Sequence, residues 1–255
     1  MTTISKKNEV FLRVETEPSI ARMLSDYFTF EVPGARFMPA YRNRVWDGKI
    51  RLFSPSNGEL YIGLLPYLKK YLDDFEEDYT VSEELDDEKQ IDKQILNGFI
   101  RQLNIRSNGK SIKPRDYQVN AVEFAIRKHR ALLLSPTASG KSLIIYILVR
   151  YYEMLLSETE QDKILILVPT TSLVEQMYSD FIDYGWLDAY MQKVYSGYDR
   201  KVEKKLVIST WQSLYKMPKS YFEQFGCVIG DEAHLFKSKS LTSILTKLHL
   251  CKYRF

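Results

Sequence analysis

Gly140-Lys141-Ser142 stands between two apolar runs and has the residue types that bind a polyphosphate. At a tight turn followed by a helix, backbone N–H groups can surround the phosphates. Lys141 would contact the β- and γ-phosphates, and the hydroxyl of Ser142 would bind Mg²⁺. The usual pattern has a glycine where this chain has Ser135. A turn glycine beside a solvated lysine is therefore the competing interpretation of this stretch taken alone.

Two adjacent carboxylates, Asp231 and Glu232, follow another apolar run. A Mg-nucleotide site needs one carboxylate, here Asp231, for the metal and a second, here Glu232, to orient and deprotonate the attacking water. An acidic helix start would use the same residues to stabilise the helix dipole. Because the pair lies downstream of the Gly-Lys-Ser loop, we favour a nucleotide-hydrolysing site in which Lys141, Asp231 and Glu232 are catalytic.

The elements that must position these groups are visible as short apolar runs that alternate with helical patterns. Residues 130–134, 163–168 and 226–230 are predicted to be buried strands, and 206–213 repeats the arrangement of a strand followed by polar residues. The run at 143–152 is long and apolar enough for a packed helix. This alternation predicts an α/β fold with a parallel sheet.

Residues suited to ligand binding lie at the ends of two predicted strands. They are Pro169, Thr170 and Thr171 after the strand at 163–168, and Thr210 and Gln212 at the end of the one that starts at 206. Ligands of open α/β sheets bind at the carboxyl edge, where hydroxyls and free N–H groups can hold phosphates. A simple helix N-terminus, with Ser172 and Glu175 as a capping box, would use the same stretch, and both interpretations can hold at once.

Gln118 lies in the first turn of a helix that we predict to start at Pro114. Its amide has a donor and an acceptor, so it can bond the edge of an adenine with both ends. Its place between a Pro-Arg-x-Tyr opening and the phosphate loop favours this role over that of a surface glutamine.

The first 80 residues have a different character. They predict a strand at 10–14, a helix that opens at Pro18, a hairpin of strands 45–53 and 59–64, a helix at 66–72 and a strand at 79–81. This order indicates a small α+β domain.

Basic and aromatic residues are concentrated in this domain: Arg36, Arg42, Arg44, Lys49 and Arg51 with Tyr41 and Trp46. The same stretch contains one acid, Asp47. Such a mixture suits phosphate contacts together with stacking. A solvated face with Trp46 in the core is the alternative, and the neighbouring nucleotide site makes nucleic-acid contact our preference.

Composition sets bounds on the whole chain. A length of 255 residues indicates about two domains, which we place at 1–90 and 112–255 with a linker at 91–111. The net charge of +3 does not by itself indicate nucleic acid. Two cysteines in apolar contexts, no signal peptide and no membrane-length apolar run predict a cytoplasmic protein.

The motifs, in this order and spacing, resemble those of superfamily-two helicases. Arg115-x-Tyr117-Gln118 resembles the adenine-reading motif, Pro136 to Ser142 motif I, Pro169-Thr170-Thr171 motif Ia, Ser209 to Ser213 the later DNA-contacting motif, and Asp231-Glu232-Ala233-His234 a DEAH-type motif II. The segment Trp46 to Leu52 and the Pro-Thr-x-x-Gly-Lys-Ser loop resemble UvsW-type recombination helicases of tailed phages. That likeness accounts for Ser135.

The resemblance implies a RecA-like first helicase lobe behind a small α+β domain, with ATP and Mg²⁺ as cofactors. Nucleotide contacts would come from Arg115, Tyr117, Gln118, Pro136, Thr137, Ala138, Ser139, Gly140, Lys141 and Ser142. Ser142 and Asp231 would hold Mg²⁺, partly through water, and His234 would couple the site to DNA. The family continues into motif III and a second lobe that carries arginine fingers, so we expect an N-terminal part that is nearly inactive alone.

The implied function is ATP-dependent remodelling of branched DNA in phage recombination and fork repair. DNA contacts are expected from Pro169, Thr170, Thr171, Thr210 and Gln212, and from Arg36, Arg42, Arg44, Trp46, Lys49 and Arg51. The partners would be branched or single-stranded DNA and recombination or single-strand-binding proteins, with the protein itself a monomer. An RNA helicase, a restriction-enzyme motor subunit and a DNA-binding module with a vestigial nucleotide loop are the alternatives.

Overall fold

A computed structural model describes residues 1–85, 88–136, 138–235 and 238–255. The chain divides into two compact units, Met1–Asp87 and Glu88–Phe255, and each is described by itself. Within the described ranges, no helix is both long enough and apolar enough to cross a membrane.

The described residues of the first unit form seven strands and three α-helices. In chain order they are β1 (Thr2–Lys6), β2 (Phe11–Glu15), α1 (Pro18–Tyr27), β3 (Thr29–Glu31), α2 (Pro39–Arg42), β4 (Lys49–Arg51), β5 (Phe53–Ser54), β6 (Glu59–Tyr61), α3 (Leu65–Asp74) and β7 (Tyr79–Val81). Five strands form a sheet in the order β5-β6-β2-β1-β7. The apolar faces of α1 and α3 cover it, with Leu24, Leu68 and Leu72 fully buried.

The predicted hairpin of the first unit is only partly correct. β5 pairs with β6, but residues 45–48 are not a strand, and β4 leaves the sheet to pair with β3. Phe53 enters the core, whereas Ile50 is 49% exposed and pairs with Phe30, which is 53% exposed. The β3–β4 ribbon therefore stands outside the main sheet, because its central apolar pair is not used by the core.

The second unit begins with α4 (Lys93–Gln102), β8 (Arg106–Ser107), β9 (Lys110–Ser111), α5 (Asp116–Lys128) and α6 (Lys141–Leu156). It continues with β10 (Lys163–Val168), α7 (Thr171–Tyr184), β11 (Met191–Val194), β12 (Leu206–Thr210), α8 (Trp211–Leu214), α9 (Lys219–Phe222), β13 (Phe225–Gly230), α10 (Lys239–Lys247) and β14 (Tyr253–Arg254).

The core of this unit is a parallel sheet in the order β11-β12-β10-β13-β14. The strands β10, β12 and β13 are buried almost throughout, as their continuous apolar sequences predict. α6 is buried on most of its surface, from Leu143 to Leu156. The predicted α/β fold with a parallel sheet and a preceding small α+β domain is confirmed.

The strand predicted at 130–134 is wrong. Of these residues, only Arg130 forms a β-bridge, which is parallel and pairs it with Arg254. The Ala131 amide donates to the Arg254 carbonyl at 3.1 Å. Leu132 and Leu134 are 65% and 89% exposed.

The stretch 91–111, expected to be a linker, has secondary structure of its own. It contains α4 and the β8–β9 hairpin. Leu96, Ile100 and Ile105 are buried in the same core cluster as α5 and α6. The helical spacing of the apolar residues, not the polar residues between them, decides the structure of this segment.

Candidate nucleotide site and nucleic-acid surfaces

The predicted phosphate loop lies at the N-terminus of α6. Gly140 is its N-cap residue with φ +80°, and Ala138 has φ +62°, a left-handed conformation that is uncommon outside glycine. The hydroxyl of Ser135, at the position where the usual pattern has glycine, contacts the hydroxyl of Ser139 across the loop. The Ser139 amide donates to the Pro136 carbonyl at 3.3 Å. Thr137, a predicted nucleotide contact, lies outside the described residues.

Gln118 holds this loop from the side of α5. Its Nε2 donates to the Ser139 carbonyl at 3.0 Å, and its Oε1 accepts from the Arg115 amide at 2.8 Å. The Tyr117 hydroxyl donates to the same Ser139 carbonyl at 2.7 Å. A Cβ on Gly140 would overlap Gln118 Nε2. The predicted adenine-reading residue thus has both ends of its amide bonded within the chain, and Gly140 is required for that contact.

The acidic end of the site comes from the turn after β13. Glu232 Oε1 lies 3.3 Å from Lys141 Nζ, and its Oε2 lies 3.3 Å from Nδ1 of His234. Glu232 has φ +57°, and its amide donates to Oδ1 of Asp231 at 2.9 Å. A strained left-handed residue costs about 1–3 kcal/mol and is concentrated at functional sites. Lys141, Asp231 and Glu232, distant in sequence, therefore meet beside the loop.

The donor set at this position fits Mg²⁺ bound together with a nucleotide. A hydroxyl from Ser142 and a carboxylate from Asp231 are hard oxygen ligands, and Mg²⁺ in phosphate-transfer sites takes few protein ligands plus phosphates and waters. The described residues contain no cluster of three or more His, Cys, Asp or Glu side chains able to hold a metal unaided. A metal here would thus depend on the nucleotide for the rest of its coordination.

A second set of polar groups lies at the carboxyl edge of the same sheet. Thr170 caps α7, because its Oγ1 accepts from the Leu173 amide at 3.3 Å. Gln212 Nε2 donates to the Pro169 carbonyl at 3.3 Å and so joins the two motif segments. Thr170, Thr171 and Gln212 are exposed, and Pro169 is half-buried. Thr210 is buried, with its hydroxyl on Ser213, so its side chain supports the edge instead of facing solvent.

The alternative capping box of Ser172 and Glu175 is wrong, since Thr170 is the N-cap residue. Glu175 instead binds Lys193 at 2.9 Å and the Tyr195 hydroxyl. Hydrogen bonds from Tyr195 and Lys193 hold the pKa of the Glu175 carboxyl below its usual range. The Tyr195 and Tyr198 ring centroids lie 4.5 Å apart, so this edge also carries a packed aromatic pair.

The basic stretch of the first unit forms an open groove. It is lined by Arg36, Tyr41, Arg42, Arg44, Val45, Trp46, Asp47 and Arg51. Trp46 is half-buried and lies outside the core cluster, and its Nε1 donates to the Lys49 carbonyl at 2.8 Å. The alternative interpretation of Trp46 as a core residue is therefore wrong.

Ion pairs divide the five basic residues of this stretch into two classes. Arg51 bonds Asp47 and, with the Lys49 amide, lowers the pKa of that carboxyl to about 2. Lys49 lies 3.8 Å from Glu31, its cross-strand partner in the β3–β4 ribbon. Arg36, Arg42 and Arg44 form no ion pair with any acid of the described residues. The expected excess of charge is thus reduced by Glu31, an acid that the sequence alone did not place there.

Both halves of the chain match known families. Residues 4–84 match the family described as DNA helicase UvsW, N-terminal, and residues 111–254 match the type III restriction enzyme, res subunit. The ATP-dependent DNA helicase UvsW of phage T4 is 37% identical over 249 residues, which are 96% of this chain and 49% of that protein. A DNA 3'-5' translocase, XPB2, of Sulfurisphaera tokodaii is 28% identical over 143 residues, 56% of this chain and 30% of its own length.

Solved structures of T4 UvsW extend this similarity to the fold. One crystal structure has a TM-score of 0.90 at 35% identity and covers all of this chain and 90% of the solved chain. A second has the same TM-score and identity, and this chain spans 51% of it. The chain, which spans about half the length of the curated phage relative, therefore belongs to the UvsW family of superfamily-two helicases.

Proposed function

We propose that the protein is an ATP-dependent DNA helicase or translocase that remodels branched DNA. The observation that carries this proposal is the meeting of Lys141, Glu232 and His234 beside a phosphate loop at the N-terminus of α6. The exposed residues Thr170 and Gln212 follow strands of the same parallel sheet.

We propose a role for each group. Gly140 and the first N–H groups of α6 would bind the phosphates, and Ser142 with Asp231 would hold Mg²⁺, which neutralises charge on the phosphates. Lys141 Nζ contacts the Glu232 carboxylate in this structure. A phosphate that binds Lys141 would replace this contact, and Glu232 would then orient the attacking water and accept its proton. His234 shares the Glu232 carboxylate and is 70% exposed, which suits a residue that links hydrolysis to neighbouring elements.

We prefer a DNA helicase to an RNA helicase or a restriction-enzyme motor subunit on two grounds. The N-terminal unit matches a family described as a DNA helicase domain, and the two curated relatives are described as acting on DNA. A vestigial nucleotide loop is disfavoured because Lys141, Ser142, Asp231 and Glu232 are all present.

We further propose that the groove of the first unit contacts DNA and helps to select branched substrates. Arg36, Arg42 and Arg44 are the residues available for phosphates, because Lys49 and Arg51 already have acidic partners. Trp46 supplies a half-buried ring at the groove wall. Basic side chains with an aromatic platform are the combination that holds unpaired strands at a junction.

The remaining proposals concern the setting. A phage helicase would work in the host cytoplasm, where phage DNA is copied, as a monomer that meets recombination or single-strand-binding proteins on the same DNA. These proposals derive from the family, and the relative described as a phage T4 helicase supports them.

The deciding experiment measures ATP hydrolysis by the full-length protein with a four-way junction, single-stranded DNA and single-stranded RNA. We expect the junction to stimulate most and RNA least. Glu232→Gln, prepared in the same way, should reduce the stimulated rate to near background. Equal stimulation by RNA and junction DNA would contradict the proposed substrate, and a rate unaffected by Glu232→Gln would contradict the proposed site.

A further inference from the structure

The loop that follows β11 closes a turn that brings two tyrosine rings together. The Tyr198 amide donates to the Tyr195 carbonyl at 2.9 Å, and Gly197, between them, has φ +94°. The two ring centroids lie 4.5 Å apart with the planes at 57°. Tyr198 is nevertheless 45% exposed. One side of its ring is therefore supported by Tyr195, and a large part of the ring faces solvent.

Side chains of β11 and α7 hold this pair of rings in place. Lys193 Nζ lies 5.5 Å from the centroid of the Tyr198 ring and 4.6 Å from that of the Tyr178 ring. The same ammonium binds the Glu175 carboxylate at 2.9 Å, and the Tyr195 hydroxyl donates to that carboxylate. Rings, cation and carboxylate thus form one connected network. A ring that is already held in position loses little conformational entropy when a ligand covers it.

This network lies close to polar groups that can bind phosphates. Thr171 and Glu175 are four residues apart in α7 and so share one side of the helix. Thr171 is exposed there. Arg200 follows Tyr198 by two residues, is exposed, and forms no ion pair with an acid of the described ranges. A solvent-facing aromatic ring is therefore accompanied by a hydroxyl and a guanidinium, both of which are donors to phosphate oxygens.

We propose that Tyr198 is a base-stacking platform for single-stranded DNA at the carboxyl edge of the second unit's sheet, an inference that rests on the proposed helicase function. A single strand presents flat bases next to anionic phosphates, and an aromatic ring beside basic and polar donors matches both. The ring would stack on a base of any type, since every base has a π-face.

Tyr198 adds a kind of contact that the motif residues of this edge do not supply. Thr170, Thr171 and Gln212 offer only polar groups, which suit the sugar-phosphate backbone. Tyr198 lies outside all the motif segments, and its support comes from Lys193 and Glu175 on two other elements. Stacking on Tyr198 would fix the position of a base relative to the sheet, in addition to the position of the backbone.

The test uses the full-length protein without nucleotide and two fluorescent strands. One is oligothymidylate, and the other is the same strand with abasic central positions, which keeps the phosphates and removes the bases. The ratio of the two affinities, measured by anisotropy, reports the contribution of the bases. For Tyr198→Ala we expect this ratio to fall by about fivefold, near the lower end of what base–aromatic stacking supplies, with the affinity for the abasic strand within about twofold of the unaltered protein.

Three controls separate stacking from general damage. Tyr198→Phe keeps the aromatic face and should keep the ratio, whereas Tyr198→Leu keeps an apolar side chain without a ring and should lower it. Tyr190→Ala removes an exposed tyrosine that precedes β11, at the other end of the strand, and should leave the ratio unchanged. The slope of affinity against salt should be the same in Tyr198→Ala as in the unaltered protein, because no phosphate contact is lost.

The outcomes are distinct. An unchanged ratio in Tyr198→Ala, or equal ratios in Tyr198→Phe and Tyr198→Leu, overturns the platform while the proposed helicase function stands. A loss of equal size on the abasic strand also overturns it, because the damage then does not depend on bases. If the unaltered protein binds neither strand and is not stimulated by DNA, both this inference and the proposed function are overturned.

Discussion

The candidate nucleotide site of the second unit and the groove of the first unit are assembled in opposite ways. The nucleotide site joins residues about 90 positions apart, Lys141 and Glu232, across the end of a parallel sheet. The groove uses residues 36–51, a single stretch of chain. The residues of the candidate nucleotide site, although far apart in sequence, were nevertheless easier to predict than the groove. Parallel strands bring their carboxyl ends to one edge whatever separates them in sequence, whereas the charge of a groove depends on which acids fold back onto it.

The largest expected effect comes from Lys141→Ala, which removes the cation from the nucleotide site. In the full-length protein we expect DNA-stimulated ATP hydrolysis to fall to background, because the β- and γ-phosphates lose their charged partner. Steady-state phosphate release measures this. Lys110→Ala, at an exposed lysine of the β8–β9 hairpin, should keep the original rate. A rate near that of Lys110→Ala would show that Lys141 does not contact the phosphates.

Glu232→Gln should separate binding from chemistry. The amide keeps the shape of the side chain but cannot accept a proton from water, so turnover should fall by about 10²–10⁴-fold. ATP affinity, measured with a fluorescent analogue, should stay within a few-fold. Glu158→Gln, at an exposed residue, is the matched control. Loss of ATP binding in Glu232→Gln would mean that Glu232 holds the loop through Lys141 and does not activate water.

Gly140→Ala tests whether the contact between loop and α5 matters. Gly140 and Gly109 both have positive φ, +80° and +73°, so alanine at either position should cost roughly 1–2 kcal/mol of backbone strain. Only at Gly140 would the new Cβ overlap Gln118 Nε2, since Gly109 has nothing nearby. We therefore expect both variants to lose similar stability in thermal unfolding, and only Gly140→Ala to lose ATP affinity. Equal ATP affinities would remove Gln118 from the site.

The sequence predicted the second unit well for a physical reason. The strands β10, β12 and β13 are buried on both faces, so their apolar runs are unambiguous, and Asp231 must follow such a strand. The run at 130–134 has the same apolar character but forms only the bridge of Arg130, so an apolar run does not by itself establish a strand. Left-handed φ at Ala138 and Glu232 was equally invisible, since local preference favours glycine or asparagine there.

The groove was predicted in outline and missed in its electrostatics. The basic residues are close in sequence, so their clustering is a local property. Glu31 reaches Lys49 only because β3 and β4 pair, and β3 is a three-residue strand with no periodic signal of its own. The same pairing places Phe30 and Ile50 together at the surface.

The difference between the paired and the unpaired basic residues of the groove gives the next prediction. Replacing Arg36, Arg42 and Arg44 with Ala should flatten the salt dependence of junction binding by up to about 2.7 in log–log slope, at roughly 0.9 per phosphate. ATP affinity should not change. A triple variant at exposed bases elsewhere in the unit, Arg13, Arg22 and Lys70, loses the same formal charge and should keep the slope. Equal slopes for the two triple variants would reduce the groove to an ordinary solvated surface.

Replacement of the two paired bases should have a smaller effect. Lys49 and Arg51 already neutralise the carboxylates of Glu31 and Asp47. The double variant Lys49→Ala with Arg51→Ala therefore removes these ion pairs more than it removes contacts to DNA. We expect a change in slope below one phosphate equivalent, about 0.9. Titration of junction binding against salt measures it. A change as large as that of the arginine triple variant would mean that DNA displaces Glu31 and Asp47, and that all five basic residues bind phosphates.

Trp46→Ala should have the smallest effect and shows what the ring does. Because Trp46 is half-buried outside the core, its removal should lower the melting temperature far less than loss of a core aromatic, which costs about 3–5 kcal/mol. If the ring stacks on an unpaired base, junction affinity should fall by about fivefold, near the lower end of the roughly 1–3 kcal/mol that stacking supplies. Trp46→Phe keeps a ring but loses the bond to the Lys49 carbonyl, so it should retain most of the affinity if stacking matters. Equal losses in both variants would instead show that Trp46 shapes the turn before β4, and that phosphate contacts alone account for binding in the groove.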